Sequence, residues 1–253
     1  MLEDYIRQKM EKGGILLMAH MVVGYPDLAS SFELVKTIVS AGVDLMELQI
    51  PFSEPIADGP VILKANQSAL AAGVKVDECF EFAHRVTQAF DIPFLFMTYY
   101  NIVFKRGEDR FFAEASEAGI CGAIVPDITP EEGKSYVAAA LAHGIDTIFI
   151  LSPTTTPERL VYLAGFGRGF FYCVARKGIT GAKTRFSSEI EEFLGRCRGV
   201  TKLPLALGFG VSRGEDVDFL KGKVEIAVVG SEALRVLNAS GVEAVGEFFR
   251  GLR

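Results

Sequence analysis

Glu47 lies inside an apolar run, Leu45 to Ile50, and the chain then turns at Pro51 into a loop that carries Glu54 and Asp58 before Gly59 and Pro60. Withdrawing a carboxylate into an apolar strand is costly unless it is paired or kept protonated. A strand end tolerates that cost, because the side chain leans into a pocket there. A carboxyl group whose pKa is raised by such surroundings is also what acid/base chemistry near neutral pH requires. The competing reading of Glu47 alone is a partly solvated side chain that caps the loop, so the residues around it have to decide.

A second chemistry is encoded further along. Gly208-Phe209-Gly210 and Gly230-Ser231 each end an apolar segment and lead into a helical pattern. Glycine permits close approach to the backbone, and free N–H groups at a helix start favour an anion. Gly-Ser at a helix start is an ordinary cap when it stands alone; two such turns on neighbouring strands make a phosphate cradle. Between them and the acidic loop lies the stretch YCVARKGITGAK (172–183), a long polar loop with two glycines of the kind that closes over a ligand. Thr98-Tyr99-Tyr100-Asn101 and Asp127 also fall at strand exits, where they shape a pocket or satisfy loop backbone; for Asp127, followed by Pro-Glu-Glu, the backbone role is the stronger reading.

The elements that must position these groups recur. AGVDLMELQIPFSEP (41–55), AGICGAIVPDITPEE (118–132) and HGIDTIFILSPTTTPER (143–159) each run from a helix end with Gly through a short apolar strand to a polar loop, and KGKVEIAVVGSEAL (221–234) repeats the plan. Adding 15–23, 93–98, 169–175 and 203–208 brings the strands to eight. Helical patterns occupy 28–40, 61–72, 77–90, 108–117, 130–142, 156–165, 187–198, 212–220 and 231–250, with an extra helix over 2–12 in front. Strict alternation forces parallel pairing and right-handed crossovers, and eight units in 253 residues match a (β/α)8 TIM barrel. An open doubly wound sheet would carry a G-x-G-x-x-G turn after its first strand; here Gly24-Tyr25-Pro26-Asp27 stands there. No linker divides the chain, so residues 1–253 are expected to form one barrel domain. In a barrel, chemistry gathers at the C-terminal ends of the strands, and a phosphate often sits after strands seven and eight. Side chains alternate along a strand, so Gln49 should enter the same mouth as Glu47, with Leu48 and Ile50 facing the helices.

Composition narrows the partners. The net charge is −6, and no basic cluster of five or more residues appears, which argues against nucleic acid and anionic membrane. Cys79, Cys121, Cys173 and Cys197 are scattered, with no C-x-x-C pair and no histidine at metal spacing. A reducing, cytoplasmic setting is expected. The first residues are charged and lack a signal-like apolar core, and no apolar run approaches the ~20 residues of a membrane span.

These residues together resemble the tryptophan synthase alpha chain family over nearly the whole chain. The most specific stretch is Glu47-Leu48 followed by PFSEPIADGP (51–60); Gly24-x-Pro26, Tyr100-Asn101, Arg176-x-Gly-x-Thr-Gly181, Gly208-Phe209-Gly210 and Gly230-Ser231 agree in order and spacing. The resemblance implies a (β/α)8 barrel that cleaves indole-3-glycerol phosphate to indole and glyceraldehyde 3-phosphate. It also implies a pyridoxal-phosphate beta chain as partner in an alpha2beta2 assembly, with no metal or cofactor on this chain. By the same resemblance Glu47 is the general acid/base, and Asp58 is the carboxylate that meets the indole N–H. Tyr172 lines the pocket, Thr180 belongs to the closing loop, and Gly181, Phe209, Gly210, Gly230 and Ser231 hold the substrate and its phosphate. Three positions depart from the family pattern. Gln49 stands where Gly is usual, and should either crowd the substrate or hydrogen-bond Glu47. His20 stands where Phe is usual, and Glu54 stands where Asp is usual, in the loop that signals to the beta chain. These departures keep two alternatives in view: a weakened alpha-like subunit that activates a beta chain, and a stand-alone lyase or aldolase of a related phosphorylated substrate.

Overall fold

One parallel sheet organises the chain. In the computed structural model, which describes residues 2–174, 188–208 and 210–253, its strands are β1 (Leu16–Val22), β2 (Leu45–Gln49), β3 (Phe94–Met97), β4 (Gly122–Ile124), β5 (Asp146–Ile148), β6 (Ile150–Leu151), β7 (Phe171–Val174), β8 (Leu205–Gly208) and β9 (Ile226–Val229). Their order is β5-β4-β3-β2-β1-β9-β8-β7-β6. The two edges are consecutive in sequence and separated only by Phe149, whose carbonyl still accepts from the Tyr172 N–H at 3.1 Å. β5 and β6 are therefore two halves of the fifth expected strand, one paired with β4 and the other with β7. The sheet closes on itself through the chain, giving the eight strand positions of a TIM barrel.

Helices α1 (Leu2–Glu11), α2 (Leu28–Ser40), α3 (Pro60–Ala71), α4 (Val76–Ala89), α5 (Tyr100–Arg106), α6 (Glu108–Glu117), α7 (Lys134–Ala142), α8 (Pro157–Ala164), α9 (Ser188–Val200), α10 (Gly214–Leu220) and α11 (Ser231–Arg250) complete the described elements. Gly42, at φ +91°, ends α2 where the sequence places a left-handed cap, and its N–H bonds the Val39 carbonyl. Helices α7 and α11 differ from expectation. α7 begins at Lys134 rather than 130, the chain before it being spent on turns. α11 is broken at Gly241, where φ +83° and ψ −176° leave the helical region.

The alternation of strand side chains divides the core in two. Leu17, Ala19 and Met21 of β1, Met46 and Leu48 of β2 and Phe96 of β3 pack outward against the helices, together with Ile50. Leu16, Met18, Leu45, Leu95, Met97, Ile124, Ile148, Ala206, Ile226 and Val228 fill the barrel. Leu2 and Ile6 of α1 join this inner cluster, and the Tyr5 hydroxyl donates to the Asp44 carbonyl just before β2. The extra helix thus closes the end where strands begin and leaves the other end to the loops.

Candidate active site

The sequence period carries His20, Glu47 and Gln49 into the barrel. On β1 the inward set is Leu16, Met18 and then His20; on β2 it is Leu45, Glu47 and then Gln49. The parallel register sets His20 beside Glu47. All three are buried, at 6%, 2% and 0% exposure, near the C-terminal ends of their strands.

Each polar head finds a specific partner. His20 Nδ1 lies 2.8 Å from Glu47 Oε2. Gln49 Nε2 donates to Asp58 Oδ2 at 2.6 Å, and the Tyr99 hydroxyl donates to the same oxygen at 3.2 Å. The Tyr99 oxygen in turn accepts from the Ala57 N–H at 3.1 Å, which pins the 51–59 loop over the mouth. Of the two expectations for Gln49, crowding the substrate or bonding Glu47, the second is not met: its amide, at the last position of β2, bonds Asp58 of the following loop. His20 Nε2, Glu47 Oε1 and Gln49 Oε1 are buried with no hydrogen-bond partner among the described residues. Buried polar atoms left over in this way, clustered on three inward side chains, mark a place built to meet a polar ligand.

The charges are mutually tuned. Burial pulls the His20 imidazole down, but its hydrogen bond and charge contact with Glu47, with Asp58 and Gln49 adding to it, carry it above its ordinary value. Burial pushes the Asp58 carboxyl up, against the opposing pull of His20, Gln49 and Tyr99. Burial and the two carboxylates also raise the phenol of Tyr172, which belongs to β7. A Cβ added to Gly208 would fall 2.4 Å from the Tyr172 hydroxyl, so glycine at the end of β8 is what lets that side chain lie across the barrel.

The anion cradle reaches the same end. Gly230 follows β9 and precedes α11, and its position is level with His20: an added Cβ would stand 3.4 Å from the His20 Cβ. Ser231 opens α11, whose first-turn N–H groups have no acceptor earlier in the helix. Gly210 adopts φ +122°, in the region that favours glycine. The β8 turn departs from the expected arrangement beyond that point. α10 starts only at Gly214, and Asp216 Oδ2 already accepts from the Ser212 N–H, the Ser212 hydroxyl and the Arg213 N–H. The Ser212 and Arg213 N–H groups are thereby spent on Asp216 rather than on the cradle. Thr180, Gly181 and Phe209 lie outside the described residues. Glu54 is exposed on the loop, away from the buried cluster.

Asp127 Oδ1 accepts from the Tyr100 N–H at 2.9 Å, which makes it a backbone partner of α5. Sequence reasoning missed Asn66, buried in α3, whose Oδ1 accepts from the Phe52 N–H at 2.9 Å and so anchors the acidic loop from behind. The signal was available: Ile62, Ala65, Asn66 and Ala69 share the buried stripe of α3, and a polar side chain there needs a partner. A cavity of ≈ 400 Å³ between Leu2, Tyr5, Ile92, Cys121 and Arg168 opens at the opposite end of the barrel, where the strands begin. It shares no lining residue with the carboxylate cluster. No group of three or more potential metal ligands occurs among the described residues.

Comparison with known proteins agrees with this geometry. The family model described as tryptophan synthase alpha chain matches residues 6–247. The tryptophan synthase alpha chain of Syntrophotalea carbinolica is 60% identical over 253 residues, covering all of both chains. That of Desulforapulum autotrophicum is 57% identical over 252 residues, again at full coverage of both. Among solved structures, tryptophan synthase from Mycobacterium tuberculosis superposes with a TM-score of 0.94 at 30% identity, covering 99% of this chain and 96% of that one. The tryptophan synthase complex of Pyrococcus furiosus does so with a TM-score of 0.86 at 30% identity, covering 94% and 97%.

Proposed function

The chain belongs to the tryptophan synthase alpha chain family, and we propose that it cleaves indole-3-glycerol phosphate to indole and glyceraldehyde 3-phosphate with Glu47 and Asp58 as its working carboxylates. The reaction is a retro-aldol cleavage. Glu47 delivers a proton to indole C3 and takes the proton of the glycerol hydroxyl on the adjoining carbon. The carbon–carbon bond then breaks, its electron pair returns to the ring, and the hydroxyl carbon leaves as the aldehyde. One proton is given and one is recovered, so the pair of transfers balances on side chains. Asp58, with Oδ2 already held by Gln49 and Tyr99, offers Oδ1 to the indole N–H and opposes the positive charge that builds on the ring. Two carboxylates in different surroundings take different roles.

Gly230 and Ser231 hold the phosphate at the start of α11, with Gly210, Gly181 and Phe209 completing that side and Thr180 belonging to the loop that closes the site. Tyr172 walls the ring. The observation that carries this reading is convergence: Glu47, Asp58 and Gly230 stand at one end of one barrel, linked through His20 and Gln49. A single substrate spans them all. Gln49 is tied to Asp58, which speaks against the reading in which it merely spoils the pocket. Residues 1–253 act as one barrel unit in this reaction.

A beta chain is the proposed partner, and the pyridoxal phosphate would belong to it. Ile56, 71% exposed, shares the loop after β2 with the exposed Glu54, and Phe104, 68% exposed, stands on α5 after β3. Apolar side chains left in solvent next to a site suit a docking rim. No helix among the described residues is long and apolar enough to cross a membrane, and a cytoplasmic setting is proposed on the free cysteines. The test is direct. Purified chain given indole-3-glycerol phosphate should release indole and glyceraldehyde 3-phosphate in equal amounts, faster when a beta chain is added. Absence of either product would remove the reading.

A further inference from the structure

The geometry points to a role for His20 that rests on the cleavage reading above: we propose that it is a positioning residue that grips Glu47 Oε2 through Nδ1, fixes the orientation of Oε1 toward the substrate, and keeps one exchangeable proton on the pair. The register of β1 on β2 sets the two residues side by side, and the inward phase of both strands turns them to each other. The 2.8 Å contact fixes one oxygen of the carboxylate and leaves the other, Oε1, buried and unpartnered among the described residues. A carboxylate held through one oxygen keeps a fixed direction for the other. An aromatic ring at position 20 would give Glu47 neither a donor nor a second place for the proton.

The groups around the imidazole support a proton held on the pair. Glu47 and Gln49 face it from β2, and Asp58 faces it from the loop after β2. β9 supplies Val228, and Gly230, which follows it, lies level with His20; neither titrates. Tyr172 of β7 and Tyr99 adjoin the carboxylates, and burial, with the carboxylate charges, holds both phenols above their usual range. Among the described residues, the charged neighbours that act on the ring are the carboxylates of Glu47 and Asp58. The pair works with one exchangeable proton in two forms, imidazolium beside carboxylate and neutral imidazole beside Oε1–H, which interconvert by exchange with water; in the second form Nδ1–H stays on Oε2 and Oε1–H protonates indole C3. The hydroxyl proton of the substrate then restores the starting state. Above the pair's upper titration the proton is gone and the acid is lost. That gives kcat/KM a basic limb set by His20.

Three readouts test this. In His20→Phe, kcat should fall at least ~10-fold with KM changed less than ~3-fold, and the basic limb of kcat/KM should move to lower pH by about one unit or more. His20→Asn keeps an N–H donor near the Nδ1 position but cannot hold charge; it should recover part of kcat while leaving the limb displaced. Independently of turnover, the His20 imidazole followed by nitrogen NMR in the wild-type chain should titrate above an ordinary histidine and drop in Glu47→Gln. Unchanged limbs in both His20 variants, a uniform loss at every pH, or a titration indifferent to Glu47→Gln would each overturn the proposal. A wild-type chain that releases no indole would instead sink the cleavage reading, and the NMR titration would still decide the pairing.

Discussion

Asp58 shows how a single side chain is adjusted for its task. Its carboxyl is pushed up by burial, and the hydrogen bonds from Gln49 and Tyr99 work in the other direction, because they favour the ionised form that the indole N–H needs. Removing one of them should therefore raise the carboxyl further. Tyr99→Phe deletes the 3.2 Å hydroxyl contact while keeping the ring that stacks on Phe52 at 5.0 Å. The acid limb of kcat/KM is expected to move to higher pH in this variant, with kcat at the optimum lowered ~3- to 10-fold, since a hydrogen bond to a charged group is worth roughly 1.5–3 kcal/mol and the remaining donor absorbs part of the loss. A pH–rate profile checks it, and an unmoved acid limb would mean that Asp58 is not the group that titrates there.

At the scale of the element, β2 and α11 carry the site between them. β2 presents both acid/base chemistry and the amide that holds Asp58, and α11 presents its N-terminus level with His20. The backbone of Gly230, at φ −120° and ψ −87°, does not lie in the left-handed region. Gly230→Asp should weaken substrate binding, because a carboxylate at the start of α11 repels the phosphate; KM is expected to rise at least ~10-fold with kcat much less affected. An unchanged KM would place the phosphate elsewhere.

These elements were legible to very different degrees. Periodicity alone set the inward phase of Glu47 and Gln49 and the outward phase of Leu48 and Ile50, because one face of a buried strand admits no slip. It did not reveal that Gln49 would turn to Asp58, since that partner reaches the mouth through a loop whose course is set by Asn66 and Tyr99. The break at Phe149 was invisible because a uniformly apolar run carries no mark of where pairing changes sides. α5 escaped notice because Tyr100–Arg106 is only seven residues long and its start is stabilised by Asp127, far away in sequence. The pattern after β8 did not reveal that the Ser212 and Arg213 N–H groups would bond Asp216, four residues beyond Ser212.

The whole molecule separates stability from chemistry by placing them at opposite ends of the barrel. Where the strands begin, Asp44 Oδ2 accepts from the Leu17 N–H at 3.0 Å and from Arg253 at 2.6 Å, tying the base of β1 to β2 and to the C-terminus. Asp44→Ala should lower unfolding free energy by about 1–3 kcal/mol, because the buried Leu17 N–H loses its acceptor; the exposed Arg253 adds little. Indole release per folded molecule should stay near wild type; urea unfolding and turnover measured on the same preparation check both halves. A parallel loss of kcat would mean that the two ends are coupled.

Stability should also respond to His20. Its folded pKa lies above the ordinary value, so its stabilising contribution is complete below about pH 6.5 and fades as pH rises through the folded value. Urea unfolding of the wild-type chain and His20→Asn should therefore differ most at low pH and converge as pH increases.

Cleavage rests most heavily on Glu47 as the group that moves protons. Indole release from indole-3-glycerol phosphate should be measured for the wild-type chain and for Glu47→Gln, which keeps size and polarity and removes the titrating group. In Glu47→Gln kcat should fall by about 10²–10⁴ with substrate still bound; undiminished turnover in that variant would remove Glu47 from the proton transfers.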